Sequence, residues 1–220
     1  MKLSVFCLIT MVFLSFSQAN SQRFNANEDY YNRLIGGFIL GANATQVDGS
    51  GYDGYNKWGV SGGGILYLTL GDIDLPFPGT LAFSMEVLYN QKGAKGQGFI
   101  QSGVTSQVID MHYAELPIQI NLFRGTRKSG FGMGAAIGYL GFVEELIEKE
   151  SGLIIKDGYP FKKWDLSFVI TGNLHLWNGF YFSPRFQYSM ISVRNNNRRF
   201  GGRNEQFNNI WSLRLMYMFK

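Results

Sequence analysis

The chain has 220 residues, enough for one all-β domain and short for two, with 45% hydrophobic and 16% aromatic residues, 28 glycines and one cysteine. A formal charge of +4, with its basic residues scattered apart from one cluster at Arg198, Arg199 and Arg203, speaks against a nucleic-acid partner. A single cysteine allows no disulfide framework, and no later segment is apolar for long enough to span a membrane as a helix.

Residues 1–21 read as a secretory signal peptide: Lys2 supplies a positive start, residues 3–16 are apolar, and small residues follow at positions 17–21, with cleavage expected among residues 19 to 22. Cys7 would leave with that segment. A lipoprotein anchor is excluded because Cys7 lies too early and follows Val5-Phe6 instead of small residues. Residues 22–33 are polar and are expected to form a periplasmic lead-in to a barrel domain spanning 34–220.

From there a two-residue alternation predicts strands, because successive side chains of a strand point to opposite faces. The first, about 34–47, sets Phe38, Leu40, Ala42 and Ala44 against Gly37, Gly41, Asn43 and Thr45. After a Gly/Asp/Ser loop at 48–56, the second, about 57–70, sets Trp58, Val60, Leu66, Leu68 and Leu70 against Gly59, Ser61, Gly63, Tyr67 and Thr69. A connection with Pro76 and Pro78 leads to the third, about 81–91, with Phe83, Met85, Val87 and Tyr89 opposite Ser84, Glu86 and Asn90.

A glycine-rich loop is expected at 92–107, then a fourth strand with Ala114, Leu116, Ile118, Ile120 and Leu122 opposite Tyr113, Glu115, Gln119 and Asn121. Pro117 lies inside it, and a bulge is expected there. The fifth, about 131–143, alternates large residues with Gly132, Gly134, Ala136 and Gly138, and the charged stretch 144–160 reads as a loop with a helical turn at 144–150.

The sixth runs from Trp164 to Leu176 with Asp165 on its polar parity, and Asn178-Gly179 is a hairpin turn signal. The seventh carries Phe180, Phe182, Phe186, Tyr188 and Met190 against Tyr181, Ser183, Arg185, Gln187 and Ser189. A long loop at 195–208 precedes the last strand, where Trp211, Leu213, Leu215, Tyr217 and Phe219 oppose Ser212 and Arg214.

About eight long strands, an export signal and an even count predict an all-β fold, an up-and-down antiparallel transmembrane β-barrel in the bacterial outer membrane. A soluble barrel shows the same period with its apolar parity inward. Aromatic placement decides for lipid outside: Trp58, Tyr89, Trp164, Tyr188 and Trp211 fall at one end of the apolar parity, and Phe131, Phe180, Phe182, Tyr217 and Phe219 at the other. Charge agrees, since Glu86, Glu115, Asp165, Arg185 and Arg214 all fall on the polar parity. These five are expected to form an interior polar network, a packed polar plug rather than an ion path, because about eight strands leave an interior just wide enough for side chains.

Three passages together resemble the PorT family of small bacterial outer-membrane β-barrels: residues 41–49 (GANATQVDG) leading to 54–59 (GYNKWG), residues 86–93 (EVLYNQKG), and residues 112–117 (HYAELP). The glycine-rich stretch 130–141 also fits. The resemblance implies a barrel fold, outer-membrane location and, by analogy with the family's founding member, an accessory role in type IX protein secretion. It supplies no catalytic motif.

No cofactor, metal or catalytic residue is expected. His112 lies on the apolar parity, where a lipid-modifying enzyme could hold its base, but Ala114 stands where a serine nucleophile would be sought and no carboxylate is clearly placed to orient the ring. His175, the second histidine, falls near a turn and gives no zinc spacing with it. Arg198, Arg199 and Arg203 could meet lipopolysaccharide phosphates or an envelope or secretion protein at the outer surface. The expected function is a non-enzymatic structural or interaction barrel, with a membrane-embedded lipid-modifying enzyme or a narrow pore as the alternatives.

Overall fold

The described residues form ten strands: β1 (Leu34–Asp48), β2 (Lys57–Ile73), β3 (Gly79–Gln97), β4 (Val104–Arg124), β5 (Ser129–Lys149), β6 (Ile154–Lys156), β7 (Trp164–Trp177), β8 (Phe180–Ser189), β9 (Arg194–Asn195) and β10 (Glu205–Met218). The computed structural model describes residues 34–50, 54–73, 78–97, 104–124, 129–149, 151, 154–156, 160–195 and 205–219. The signal peptide, the segment 22–33 and the arginines Arg198, Arg199 and Arg203 lie outside the described residues.

Eight long strands run antiparallel in the order β1-β2-β3-β4-β5-β7-β8-β10. β10 pairs back onto β1 from Gly37↔Met218 to Asp48↔Phe207. The fold is therefore a closed up-and-down barrel, with no helix among the described residues. Closure satisfies the backbone groups that an open sheet edge would leave unpaired. Short β6 adds to β5 and short β9 to β10.

The chain termini of the barrel meet at one end. There the β7–β8 hairpin turns through Asn178 (φ 36°) and Gly179 (φ 85°), the pair of left-handed residues that a two-residue hairpin of the strand's own twist requires. At the far end β3 and β4 outrun β2: the β2–β3 ladder begins at Ser61↔Asn90, whereas β3–β4 continues to Gln97↔Ser106.

Three local expectations are corrected. Residues 92–97 and 104–107, expected as loop, are the paired ends of β3 and β4. Residues 144–149 are not a helical turn but the last part of β5, paired with β4 and β6. A register shift between His112 and Tyr113 puts Gly141 and Phe142 both outward, so β5 changes parity: Tyr139 faces out, then Phe142 and Glu148 do, and Glu145 and Ile147 face in. That break in alternation imitates the end of a strand.

Pro117 carries no bulge either. It pairs with Ala136 in unbroken register, and on its other side the ladder only skips from Met85↔Ile118 to Leu88↔Glu115, as a missing N–H demands. Pro184 behaves alike: it pairs with Leu213, while the β7–β8 ladder skips from Thr171↔Arg185 to Leu174↔Phe182.

The two faces separate sharply. Leu40 is 72% exposed and Val87 64%, while Ile39 and Arg214 are each 1%. The bulky apolar parity is thus the exterior. Tyr89, Ala114, Tyr139 and Trp164 are successive register partners across four strands, giving an aromatic row toward the far end. Phe38, Tyr217 and Phe180 do the same toward the termini, with Phe219 edge-on to Phe38. Between the rows, no outward position among the described residues is charged.

The interior is not polar throughout, contrary to expectation. Ile39, Ile65, Leu88 and Met216 belong to a buried apolar cluster toward the termini, and Val47, Ile109, Met111 and Leu140 to another toward the far end. An eight-strand lumen must be filled by side chains, and a buried group that needs no hydrogen-bond partner fills it without a desolvation penalty. The charges are thereby confined to layers between and within these clusters.

Candidate functional site

Among the described residues, eight buried ionic side chains occupy the lumen: four acids, Glu86, Glu115, Glu145 and Asp165, and four bases, Lys92, Arg185, Arg194 and Arg214. Their formal charges cancel among the described residues. Burying an unpaired ion costs several kcal/mol, so the balance is a condition for filling the lumen with charge at all.

Glu86 of β3 is the hub of the first group. Arg185 of β8 donates from Nη2 to its Oε1 at 2.5 Å, and Arg214 of β10 donates from Nη1 to its Oε2 at 3.1 Å. Gln119 donates a third bond to Oε1 at 3.1 Å. Arg185 Nε also bonds Thr171 Oγ1 at 3.2 Å, whose hydroxyl donates to Gln119 Oε1 at 2.7 Å. Arg214 Nη2 bonds Ser183 Oγ at 2.7 Å. Space for the long Arg214 stem comes from Gly41, where a Cβ would lie 2.7 Å from Arg214 Cγ.

Lys92 centres the second group. Its ammonium lies 2.5 Å from Glu115 Oε1 and 2.8 Å from Asp165 Oδ2, and 4.6 Å above the Tyr113 ring. Ser189 and Asn208 donate to Asp165 at 2.7 and 2.9 Å, and Asn90 and Gln187 to Glu115 at 2.7 and 3.1 Å. The third group, nearest the far end, pairs Arg194 with Glu145 at 3.0 Å, and Gln107 also donates to Glu145. Arg194 sits 4.3 Å over the Phe161 ring.

The five residues read from the sequence, Glu86, Glu115, Asp165, Arg185 and Arg214, are thus all buried in the lumen, three in the first group and two in the second. Lys92, Glu145 and Arg194 were missed. Lys92 lay beyond the expected end of its strand although Glu86 and Asn90 share its parity; that parity was the usable signal. Glu145 was hidden by the change of parity in β5, and Arg194 by lying outside any alternating run.

Every carboxylate here is held by a cation or an amide, and the pairs connect strands across the lumen. Such an arrangement braces the barrel wall. Among the described residues no group of three or more His, Cys, Asp or Glu side chains could hold a metal ion.

Outside the barrel, His112 differs from expectation in one respect. Its Nδ1 shares a hydrogen bond of 2.6 Å with Tyr89 Oη, and Asp110 Oδ1 does lie near its Nε2, at 3.6 Å. Asp110 is committed elsewhere, accepting from Gln91 at 3.0 Å and pairing with Lys57 at 3.2 Å. Ala114 and Phe142 flank the ring on β4 and β5, so the nucleophile position is apolar. His175 packs edge-on to Tyr181, and its backbone N–H donates to Ser129 Oγ at 3.2 Å.

No family model matches the chain, and no curated protein does. A solved structure shows a distant likeness. It is the crystal structure of Ail, the attachment invasion locus protein of Yersinia pestis, in complex with the heparin analogue sucrose octasulfate. The likeness has 13% identity and a TM-score of 0.42, over 86% of this chain and 99% of that one. The barrel assignment rests on the closed set of strand pairings described above.

Proposed function

We propose that this chain is an integral β-barrel of the bacterial outer membrane with a non-enzymatic structural or protein-interaction role, its lumen filled rather than conducting. One observation carries the reading: among the described residues, an uncharged apolar exterior between two aromatic rows encloses an interior whose four acids and four bases are matched. Lipid tolerates only such a surface, and water would not select it. The finer role, an accessory to type IX secretion, is supported by the order and spacing of the passages that resemble the PorT family. Contact of Arg198, Arg199 and Arg203 with lipopolysaccharide or a partner is supported by their clustering in the sequence between β9 and β10.

The test has three readouts. Fractionation with detergent-dependent extraction and heat-modifiable gel mobility is expected; release of folded protein without detergent refutes the membrane reading. Planar bilayers are expected to stay silent, and stepwise conductance refutes the filled lumen. Co-purification from native outer membranes is expected to recover envelope or secretion proteins; recovery of the barrel alone refutes the accessory role.

A further inference from the structure

At the far end, two pieces of chain that belong to no long strand turn inward over the lumen. One is Phe161, before β7; the other is Ser192, Val193 and Arg194, after β8. Phe161 is 9% exposed and Val193 and Arg194 are fully buried. Lys162 N–H donates to Val193 O at 2.8 Å and Val193 N–H to Gln206 O at 2.8 Å, so the two pieces are tied to each other and to β10. Phe161 and Val193 rest on Val47, Ile109 and Met111 of the wall.

We infer that these residues form a releasable strap, latched by the Arg194–Glu145 ion pair, that closes the far mouth of the barrel. The inference deepens the filled-lumen reading and rests on it. Three features distinguish the strap from the wall beneath. Its charge converges on one side chain: Arg194 forms an ion pair with Glu145 on β5 and lies over the Phe161 ring, which ties the two strap pieces together. Its ladders are short: β9 pairs with β10 at Glu205↔Asn195 and Gln206↔Arg194, and beside Phe161 the Leu140 N–H of β5 donates to Lys163 O at 2.8 Å.

The third feature lies under it. Gln206 is fully buried, and among the described residues neither its amide nitrogen nor its amide oxygen has a hydrogen-bond partner. A buried unpaired amide costs free energy that hydration returns. Closure is thus favoured by the ion pair and the apolar contacts of Phe161 and Val193, and opposed by the amide of Gln206. Opposed terms at one small element are what let it open without unfolding the barrel.

Opening is read by thiol labelling. With Cys7, the one cysteine of the sequence, replaced by serine, Val47→Cys places a single thiol beneath the strap. A charged, membrane-impermeant maleimide is the probe. Slow labelling is expected in Val47→Cys alone, at least tenfold faster labelling when Arg194→Ala is added, and slow labelling again when Arg194→Glu is paired with Glu145→Arg. Unchanged labelling in the Arg194→Ala chain overturns the latch, provided its heat-modifiable mobility shows the barrel folded; loss of that mobility in the parent chain instead strikes the barrel reading. Hydrogen exchange on the unaltered protein tests the strap independently of any variant. The Lys162 and Val193 amides are expected to exchange at least a hundredfold faster than that of Leu213, and equal protection overturns the proposal.

Discussion

Arg185 and Glu86 stand on strands four places apart in the ring of eight, directly across the lumen, and still meet at 2.5 Å. The barrel is therefore narrow enough for one side chain from each wall to bridge it. Glu86 also neutralises Arg214, so its removal leaves two buried guanidinium groups without their counter-ion. Glu86→Gln is expected to destabilise the barrel by about 3 to 5 kcal/mol. Urea unfolding in lipid vesicles, followed by tryptophan fluorescence, measures this, and a loss under about 1 kcal/mol contradicts the bridging role.

Lys92 and Asp165 provide a second bridge, which a double-mutant cycle isolates. Lys92→Met and Asp165→Asn are each expected to destabilise strongly, and the pair together by less than the sum, with a coupling of about 1 to 3 kcal/mol. Additive losses would show that the 2.8 Å contact contributes nothing as a pair.

Leu40, 72% exposed near the middle of the apolar belt, reports on what surrounds the barrel. Leu40→Arg is expected to cost about 2 to 4 kcal/mol for the barrel folded in vesicles. A soluble barrel would accept the same change with no loss, so a neutral result places the exterior in water.

Gly63 and Gly64 adjoin in β2 yet should respond oppositely to alanine. A Cβ at Gly63 would lie 1.9 Å from Val87 O, a backbone atom that cannot move alone, whereas at Gly64 the nearest atom is 3.9 Å away. Gly63→Ala is expected to cost about 1 to 3 kcal/mol. Gly64→Ala is expected to be neutral or to gain about 0.5 kcal/mol from reduced freedom of the unfolded chain. Equal effects in the same unfolding assay would refute the close approach of β2 to β3.

The strand scaffold was legible because period-two patterning is a local signal: Phe168 and Ile170 alternate with Ser167 and Val169 whatever the partner strands do. Register, bulges and lumen content depend on neighbours. The parity change at Gly141 and Phe142 is imposed by pairing with His112 and Tyr113, so Glu145 looked like a loop charge when it is a buried one. Ile39, Ile65 and Met216 sit on the polar parity, and only the closed ring shows that they converge. Phe161 and Arg194 have no period at all, and their burial is purely tertiary. The charged residues read from the strands do lie in the lumen because a charge in the middle of an otherwise alternating run has one affordable direction to point.

Closure of the ring by its first and last long strands has a consequence for biogenesis. The pairing Gly37↔Met218 joins the first long strand to the last, so the cylinder cannot be sealed until β10 has been made and brought beside β1. Until then β1 and β8 each present a naked row of amides and carbonyls, templates for the wrong partner. A chain without β10 would keep those templates permanently, which makes that strand the checkpoint on which correct assembly turns.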